Sequence, residues 1–289
     1  MSELFGLCCD KTVNISFSFT KLSERNSLQE SGWGVGFYRT GNVDQPPFAT
    51  IIKEPVSARE SIFNYFLKYG YISSNLFISH FRLASIGAQV PLNTHPFQLM
   101  LDPRPDADQE KSWIFAHSGT MREIKNDPRF QSVLKPHGNT DSEHIFCYLI
   151  EQLRQQYVEN GFSLSLEEKI RIIEESATAL SRAHPDSLNC ILCDGYRMYA
   201  FYGGHTAARG SGMWYLIRRP PHQKLAVLDQ SDGMTVQLLD KISDESAAII
   251  ATNPLSPVTD GKWIPFQLNE LKVFENGDVI YPVQGSDSR

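Results

Sequence analysis

The sequence holds no run of about 18 apolar residues, so it offers no helix able to span a bilayer, and no membrane partner is expected. Positive charge is short: 27 Lys and Arg stand against 33 Asp and Glu, a net charge of −6. A general grip on nucleic acid needs a basic stripe, so nucleic acid is not an expected partner either. Cysteine is scarce, with five residues at Cys8, Cys9, Cys147, Cys190 and Cys193. An odd count without a paired framework argues against disulfides and fits a reducing compartment. No second Cys or His pair at ligand spacing accompanies Cys190-x-x-Cys193, so no metal is expected. The first ten residues lack the basic segment and apolar run of a signal peptide, which makes a cytoplasmic location the expectation. Fixed-period repeats and low-complexity linkers are absent as well.

What is present is enough apolar and aromatic surface, 41% and 11% of the residues, to exclude disorder as the dominant state. The 289 residues read as a single domain over 1–283, followed by a flexible tail at 284–289, with a polar surface loop at 102–111. Short apolar or alternating runs bounded by turn residues predict strands over 3–9, 33–39, 48–53, 76–83, 113–117, 188–193, 197–202, 213–218, 225–228 and 247–251. Two more, 270–274 and 278–281, flank Glu275-Asn-Gly277, a hairpin signal. Capping-box patterns at Ser57-x-x-Glu60, Thr140-x-x-Glu143 and Ser165-x-x-Glu168 precede apolar residues at helical spacing and predict three helices. The last two helices follow one another with strands on either side. That order does not alternate as βαβα, so the fold class is α+β, with mostly antiparallel sheets and paired helices packed on them.

Two motifs invite chemistry and are better explained without it. Cys190 and Cys193 fall on an apolar strand, where residues three apart face opposite sides, so their thiols should not converge. Cys8 and Cys9 fail the same test. Gly32-Trp-Gly-Val-Gly36 lacks the spacing of a dinucleotide fingerprint and no helix pattern follows it. A tight turn with close backbone approach is the better account.

Four further segments place small, polar or charged residues where strands end or a helix begins: Ser2, His80-Phe-Arg-Leu-Ala-Ser85, Ala116-His-Ser-Gly-Thr120 and Asn139-Thr-Asp-Ser-Glu143. Singly, each has a bland reading; Asp141, for instance, suits any helix N-terminus. Joined in order by Ser2-Glu-Leu-Phe-Gly6, Phe17-Ser-Phe-Thr20, Gly32-Trp-Gly34, Asn93-Thr-His-Pro-Phe97, Ala251-Thr-Asn-Pro-Leu255 and Leu271-Lys-Val-Phe274, they resemble a known set. Over nearly its whole length the chain is similar to class II glutamine amidotransferases of the YafJ-like single-domain type, a branch of the N-terminal-nucleophile (Ntn) hydrolases.

That resemblance implies a four-layer αββα sandwich of two mostly antiparallel sheets. It implies hydrolysis of glutamine or another γ-glutamyl amide by Ser2, with the α-amine of the processed chain as base. Arg82 is implied to hold the substrate α-carboxylate, Asp141 the α-ammonium, and the Gly119 N–H the developing oxyanion. His95 is implied as a pocket wall. Two residues depart from the family. The family's nucleophile is cysteine, where this chain has Ser2; its second oxyanion donor is asparagine, where this chain has Ser118. Ser118 has a shorter reach than an amide and is expected to donate through a water. No cofactor is expected. The resemblance also implies a separate protein as acceptor of the ammonia, or γ-glutamyl thiol compounds as a substrate class, as among single-domain relatives. The alternative is a glutamyl-binding module without turnover, serving as a sensor or regulatory subunit.

Overall fold

Alternation along a strand sends successive side chains to opposite faces, and here that rule separates three hydrophobic layers. The structure is a computed structural model that describes residues 2–18, 31–39, 47–58, 60–63, 72–82, 86–101, 111–185, 188–204, 212–220, 235–238, 244–254 and 262–282. Its elements run β1 (Glu3–Ser18), β2 (Gly32–Arg39), β3 (Phe48–Glu54), β4 (Ile72–Arg82), β5 (Phe97–Leu101), β6 (Lys111–Ser118), α1 (Asp141–Glu159) and α2 (Leu166–Ala183). Then follow β7 (Asn189–Cys193), β8 (Met198–Tyr202), β9 (Trp214–Arg218), β10 (Thr235–Leu238), β11 (Ala247–Ala251), β12 (Ile264–Pro265), β13 (Glu270–Glu275) and β14 (Asp278–Tyr281).

The strands form two antiparallel sheets. The first has the order β12-β9-β11-β1-β4-β2-β3, with β10 paired to β1; the second has the order β14-β13-β8-β7-β6-β5. Leu4, Cys8 and Ile78 of the first sheet meet Ile114, Ala116, Ile191 and Cys193 of the second in a core between the sheets. The other face of the second sheet, including Phe115, Cys190 and Leu192, packs on Ile145, Phe146 and Leu149 of α1 and Ile173, Ala177 and Leu180 of α2. The outer face of the first sheet, with Phe5, Leu7, Trp33, Val35 and Phe77, is buried as well, against Ala58 among others. The molecule is thus an α+β fold of two stacked antiparallel sheets with a helix pair.

Local chemistry fixes both helices where expected. Thr140 Oγ1 accepts the Glu143 N–H at 3.2 Å and starts α1. At α2 the box is reciprocal: Ser165 Oγ accepts from Glu168 N at 3.2 Å, and Glu168 Oε2 accepts from Ser165 N at 2.7 Å. The helix expected after Ser57 begins at Ile62, and 64–70 lie outside the described residues. The strand expected at 225–228 and the tail at 284–289 also lie outside them.

Three strands were not anticipated: β5, β10 and the two-residue β12. β1 also runs to Ser18 rather than ending at Cys9. The charged Asp10-Lys11 pair mimics a strand end, but the register with β4 only shifts between Cys8 and Val13, and pairing resumes. The cysteine expectation holds in geometry: Cys190 packs on the helix side and Cys193 between the sheets, while Cys8 and Cys9 likewise face opposite ways. Burial raises all four thiols above their usual range, Cys8 to about 12.

The glycine-rich run is strand rather than turn, and the close approach is real. Gly34 and Gly36 sit on the face of β2 that meets the second sheet. A Cβ on Gly34 would lie 2.2 Å from the His95 carbonyl oxygen, and one on Gly36 would lie 3.0 Å from Ile114 Cδ1.

Candidate active site

Ser2 stands immediately before β1, and Ser118 is the last residue of β6, so one comes from each sheet. Their hydroxyl oxygens lie 2.9 Å apart, and Ser118 Oγ also donates to the Ser2 carbonyl at 3.1 Å. A hydroxyl carries one proton. With that of Ser118 directed to the Ser2 carbonyl, the Ser2 hydroxyl is the donor in the contact between the two. Gly119 follows at the end of the same strand. Met1 lies outside the described residues.

Arg82 ends β4, the strand beside β1. The register pairs Glu3 with Phe81 and Gly32 with Arg82, which brings Arg82 alongside Ser2. Its side chain is buried, and its fork already holds a loop: Nη1 donates to Ala88 O at 3.2 Å, and Nη2 donates to Ile86 O at 2.8 Å and Gly87 O at 3.1 Å. Among the described residues, three of its five N–H groups are thereby engaged. Burial lowers the guanidinium pKa, and the Asp141 carboxylate opposes that shift through space. Asp141 opens α1, and its Oδ2 accepts the Met121 N–H at 2.6 Å. Ser2, Ser118, Arg82 and Asp141 thus gather where the leading edges of both sheets meet the N-terminus of α1.

Beneath them lies a histidine pair. His95 packs against His80, ring centroids 4.2 Å apart, and against Phe97 at 4.6 Å. His95 is therefore an interior residue, only 4% exposed. None of the four ring nitrogens has a hydrogen-bond partner among the described residues. Burial pulls the His80 pKa down to about 3, helped by His117 and Arg82. His95 is lowered by burial too, with His80, His117, Lys53 and Arg82 acting in the same direction.

Each ring stays neutral in the folded protein but protonates near pH 6.5 once unfolded. Their contribution is complete above about pH 6.5. It is lost as the pH falls, by about 1.4 kcal/mol per unit for each histidine. We expect a lower urea midpoint at about pH 5 than at about pH 7, and a shallower dependence in His80→Gln and in His95→Gln. Equal dependence in all three proteins would contradict the assignment.

The contacts of three residues of this region were not anticipated from the sequence. Lys53 of β3 reaches across with Nζ donating to Thr94 O at 2.8 Å and Pro96 O at 3.2 Å; burial lowers its pKa to about 8 against the opposing charge of Glu143. Glu143 was expected to close a capping box on Thr140. Its carboxylate turns instead to the N–H groups of His137 and Gly138, at 3.0 and 2.7 Å. Asn93 Nδ2 donates to Ala88 O, and its Oδ1 accepts from Asn139 N, both at 2.9 Å. His117, whose motif was legible, has its Nδ1 2.9 Å from Ser142 Oγ on α1. No group of His, Cys, Asp and Glu among the described residues could hold a metal ion. No helix among them is long and apolar enough to cross a membrane.

The comparisons agree with this architecture. The chain is 32% identical over 289 residues to the uncharacterized protein MJ1515 of Methanocaldococcus jannaschii, covering 97% of this chain and 71% of that protein. It is 28% identical over 287 residues to YafJ of Escherichia coli K12, named as a candidate glutamine amidotransferase, covering 94% of this chain and all of that one. A crystal structure of a predicted glutamine amidotransferase from Pseudomonas aeruginosa PA01 superposes with a TM-score of 0.70 at 24% identity, over 96% of this chain and 99% of that one. The fold is shared with glutamine phosphoribosylpyrophosphate amidotransferase of B. subtilis at a TM-score of 0.52 and 13% identity, over 96% of this chain and 48% of that longer one. The sequence profile of the family described as "Glutamine amidotransferases class-II" matches residues 1–288. The chain belongs to the class II glutamine amidotransferases.

Proposed function

We propose that residues 1–283 act as one domain that hydrolyses glutamine or another γ-glutamyl amide, with Ser2 as nucleophile. The observation that carries this reading is the meeting of Ser2 and Ser118 at 2.9 Å beside the Arg82 and Asp141 pair. Arg82 binds the substrate α-carboxylate through its guanidinium, and Asp141 binds the α-ammonium. The γ-amide then points at Ser2. Ser2 Oγ attacks the γ-carbonyl carbon and passes its proton to the α-amine of the processed chain. The Gly119 N–H and Ser118 face the oxyanion. Collapse breaks the C–N bond, ammonia leaves with the proton, and water then hydrolyses the glutamyl ester to glutamate. The ammonia is released or passed to a separate protein, and the setting is cytoplasmic. A free α-amine on Ser2 requires loss of Met1, so the intact mass of the active protein is lower by one methionyl residue.

A second reading is favoured by one observation. The Ser118 proton is spent on the Ser2 carbonyl, so in this arrangement Ser118 does not serve as the second oxyanion donor. On that reading the chain keeps glutamyl recognition without turnover, as a sensor or regulatory subunit. Both readings require a glutamyl ligand held by Arg82. Calorimetry with glutamine, glutamate and a γ-glutamyl peptide is expected to detect binding, and Arg82→Ala to weaken it by roughly 2–5 kcal/mol. Binding indifferent to Arg82 refutes both. Ammonia release from glutamine separates them.

A further inference from the structure

Resting on that reading of Arg82 and Asp141, we propose that Asn93 is the positioning residue that sets the distance between them, and so the head group the site accepts. The two charged groups belong to different layers. Arg82 ends a strand of the first sheet, and Asp141 opens the helix packed on the second. Neither sheet alone fixes their separation. The buried amide of Asn93 joins the segments that carry them. Its Nδ2 donates to the Ala88 carbonyl, which also accepts from Arg82 Nη1. Its Oδ1 accepts the N–H of Asn139, two residues ahead of Asp141. One side chain thus holds the loop that grips the guanidinium and the turn that delivers the carboxylate.

The packing around that amide is an independent sign that its position is fixed. A Cβ on Gly87, whose φ is +84°, would lie 3.0 Å from Asn93 Nδ2. A Cβ on Gly138 would lie 2.5 Å from Asn93 Oδ1 and 2.7 Å from Leu92 O. Both flanking segments therefore carry glycine where they press on Asn93. Glu143 holds the His137 and Gly138 N–H groups from the other side. Nothing in this arrangement touches the ligand through Asn93 itself; it acts through the two charged residues.

The test compares ligands that need both charged anchors with ligands that need one. Glutamine carries both head-group charges, glutaramate lacks the α-ammonium, and γ-aminobutyramide lacks the α-carboxylate. Calorimetry on the full chain is expected to show glutamine binding tighter than either truncated ligand. In Asn93→Ala, glutamine should weaken about 10-fold to 100-fold, the scale of a lost buried hydrogen bond, while the truncated ligands hold nearly constant. Asn93→Asp keeps the shape and the acceptor for Asn139 N–H but loses the donor to Ala88 O, and should fall between. It also decides the matter if Asn93→Ala does not fold. A purely structural role weakens all three ligands by one common factor. That outcome, or a glutamine preference intact in both variants, overturns the inference. A natural chain that binds the three alike overturns the Arg82 and Asp141 reading itself.

Discussion

Ser2→Cys combined with Ser118→Asn is expected to raise glutaminase turnover well beyond either single change. A thiolate is a far stronger nucleophile than a serine hydroxyl, which depends on its base. An asparagine amide restores a donor for the oxyanion, and loss of one such donor typically costs about 10²–10³ in rate. The two side chains touch, with hydroxyls 2.9 Å apart, so their effects should not add. Cysteine alone still faces a Ser118 whose proton is turned to the residue 2 carbonyl. Asparagine alone serves a weak nucleophile. The assay is ammonia release from glutamine by the natural chain, both single variants and the double variant, with mass spectrometry confirming that each begins at residue 2. If the natural chain already turns over quickly and Ser2→Cys gains nothing, serine is an adapted nucleophile and the binding-module reading fails.

Gly34→Ala is expected to cost more stability than any other single methyl group added to β2. The new Cβ would stand 2.2 Å from the His95 carbonyl oxygen and 2.7 Å from Lys53 Cβ. The first contact is with backbone, in a segment tied down by Lys53 through Thr94 O and Pro96 O, so there is little room to yield. Relief means separating the sheets where His80 and His95 pack together. Losses above about 4 kcal/mol are exceptional for a point change, and this one should reach that range or prevent folding. Gly36→Ala is the control: its neighbours are the Ile114 and Pro96 side chains at 3.0 and 3.3 Å, and these can shift. Overpacking of that kind costs about 1–3 kcal/mol. Equal urea midpoints for the two variants would show that the sheets are not held at Gly34.

Legibility in the sequence differed from element to element. α1 and α2 were legible because the cap and the 3.6-residue period agree at both. β5 was not, because Phe97-Gln-Leu-Met-Leu101 is short and follows directly on the His95-Pro96 motif. The Ser2, Arg82, Ser118, Gly119 and Asp141 segments stood out because each sets polar or small residues at an element end. Asn93 and Glu143 stood within such motifs, but the contacts that they and Lys53 make gave no sign. Asn93 bonds Asn139 across 46 positions and Lys53 bonds Thr94 across 41, and only the tertiary fold creates either contact. Glu143 was misread for a local reason. A glutamate three residues after Thr140 fits a capping box, and what diverts its carboxylate is the path of 137–139.

The placement of Ser2 at the head of β1 bears on reaction entropy. Chain ends usually fray, and the nucleophile proposed for residue 2 would then have to be immobilised anew at every encounter. Here the residues that follow are laced on both sides. Glu3 pairs with Phe81, Leu4 N–H donates to Thr252 Oγ1 and Thr252 N–H donates to Leu4 O, both at 3.2 Å. Folding therefore removes the translational freedom of residue 2 once, before any substrate arrives, and what remains at each encounter is to orient the ligand. The amides from Leu4 to Cys8 should exchange with deuterium as slowly as those of the innermost strands, although they lie within ten residues of the N-terminus.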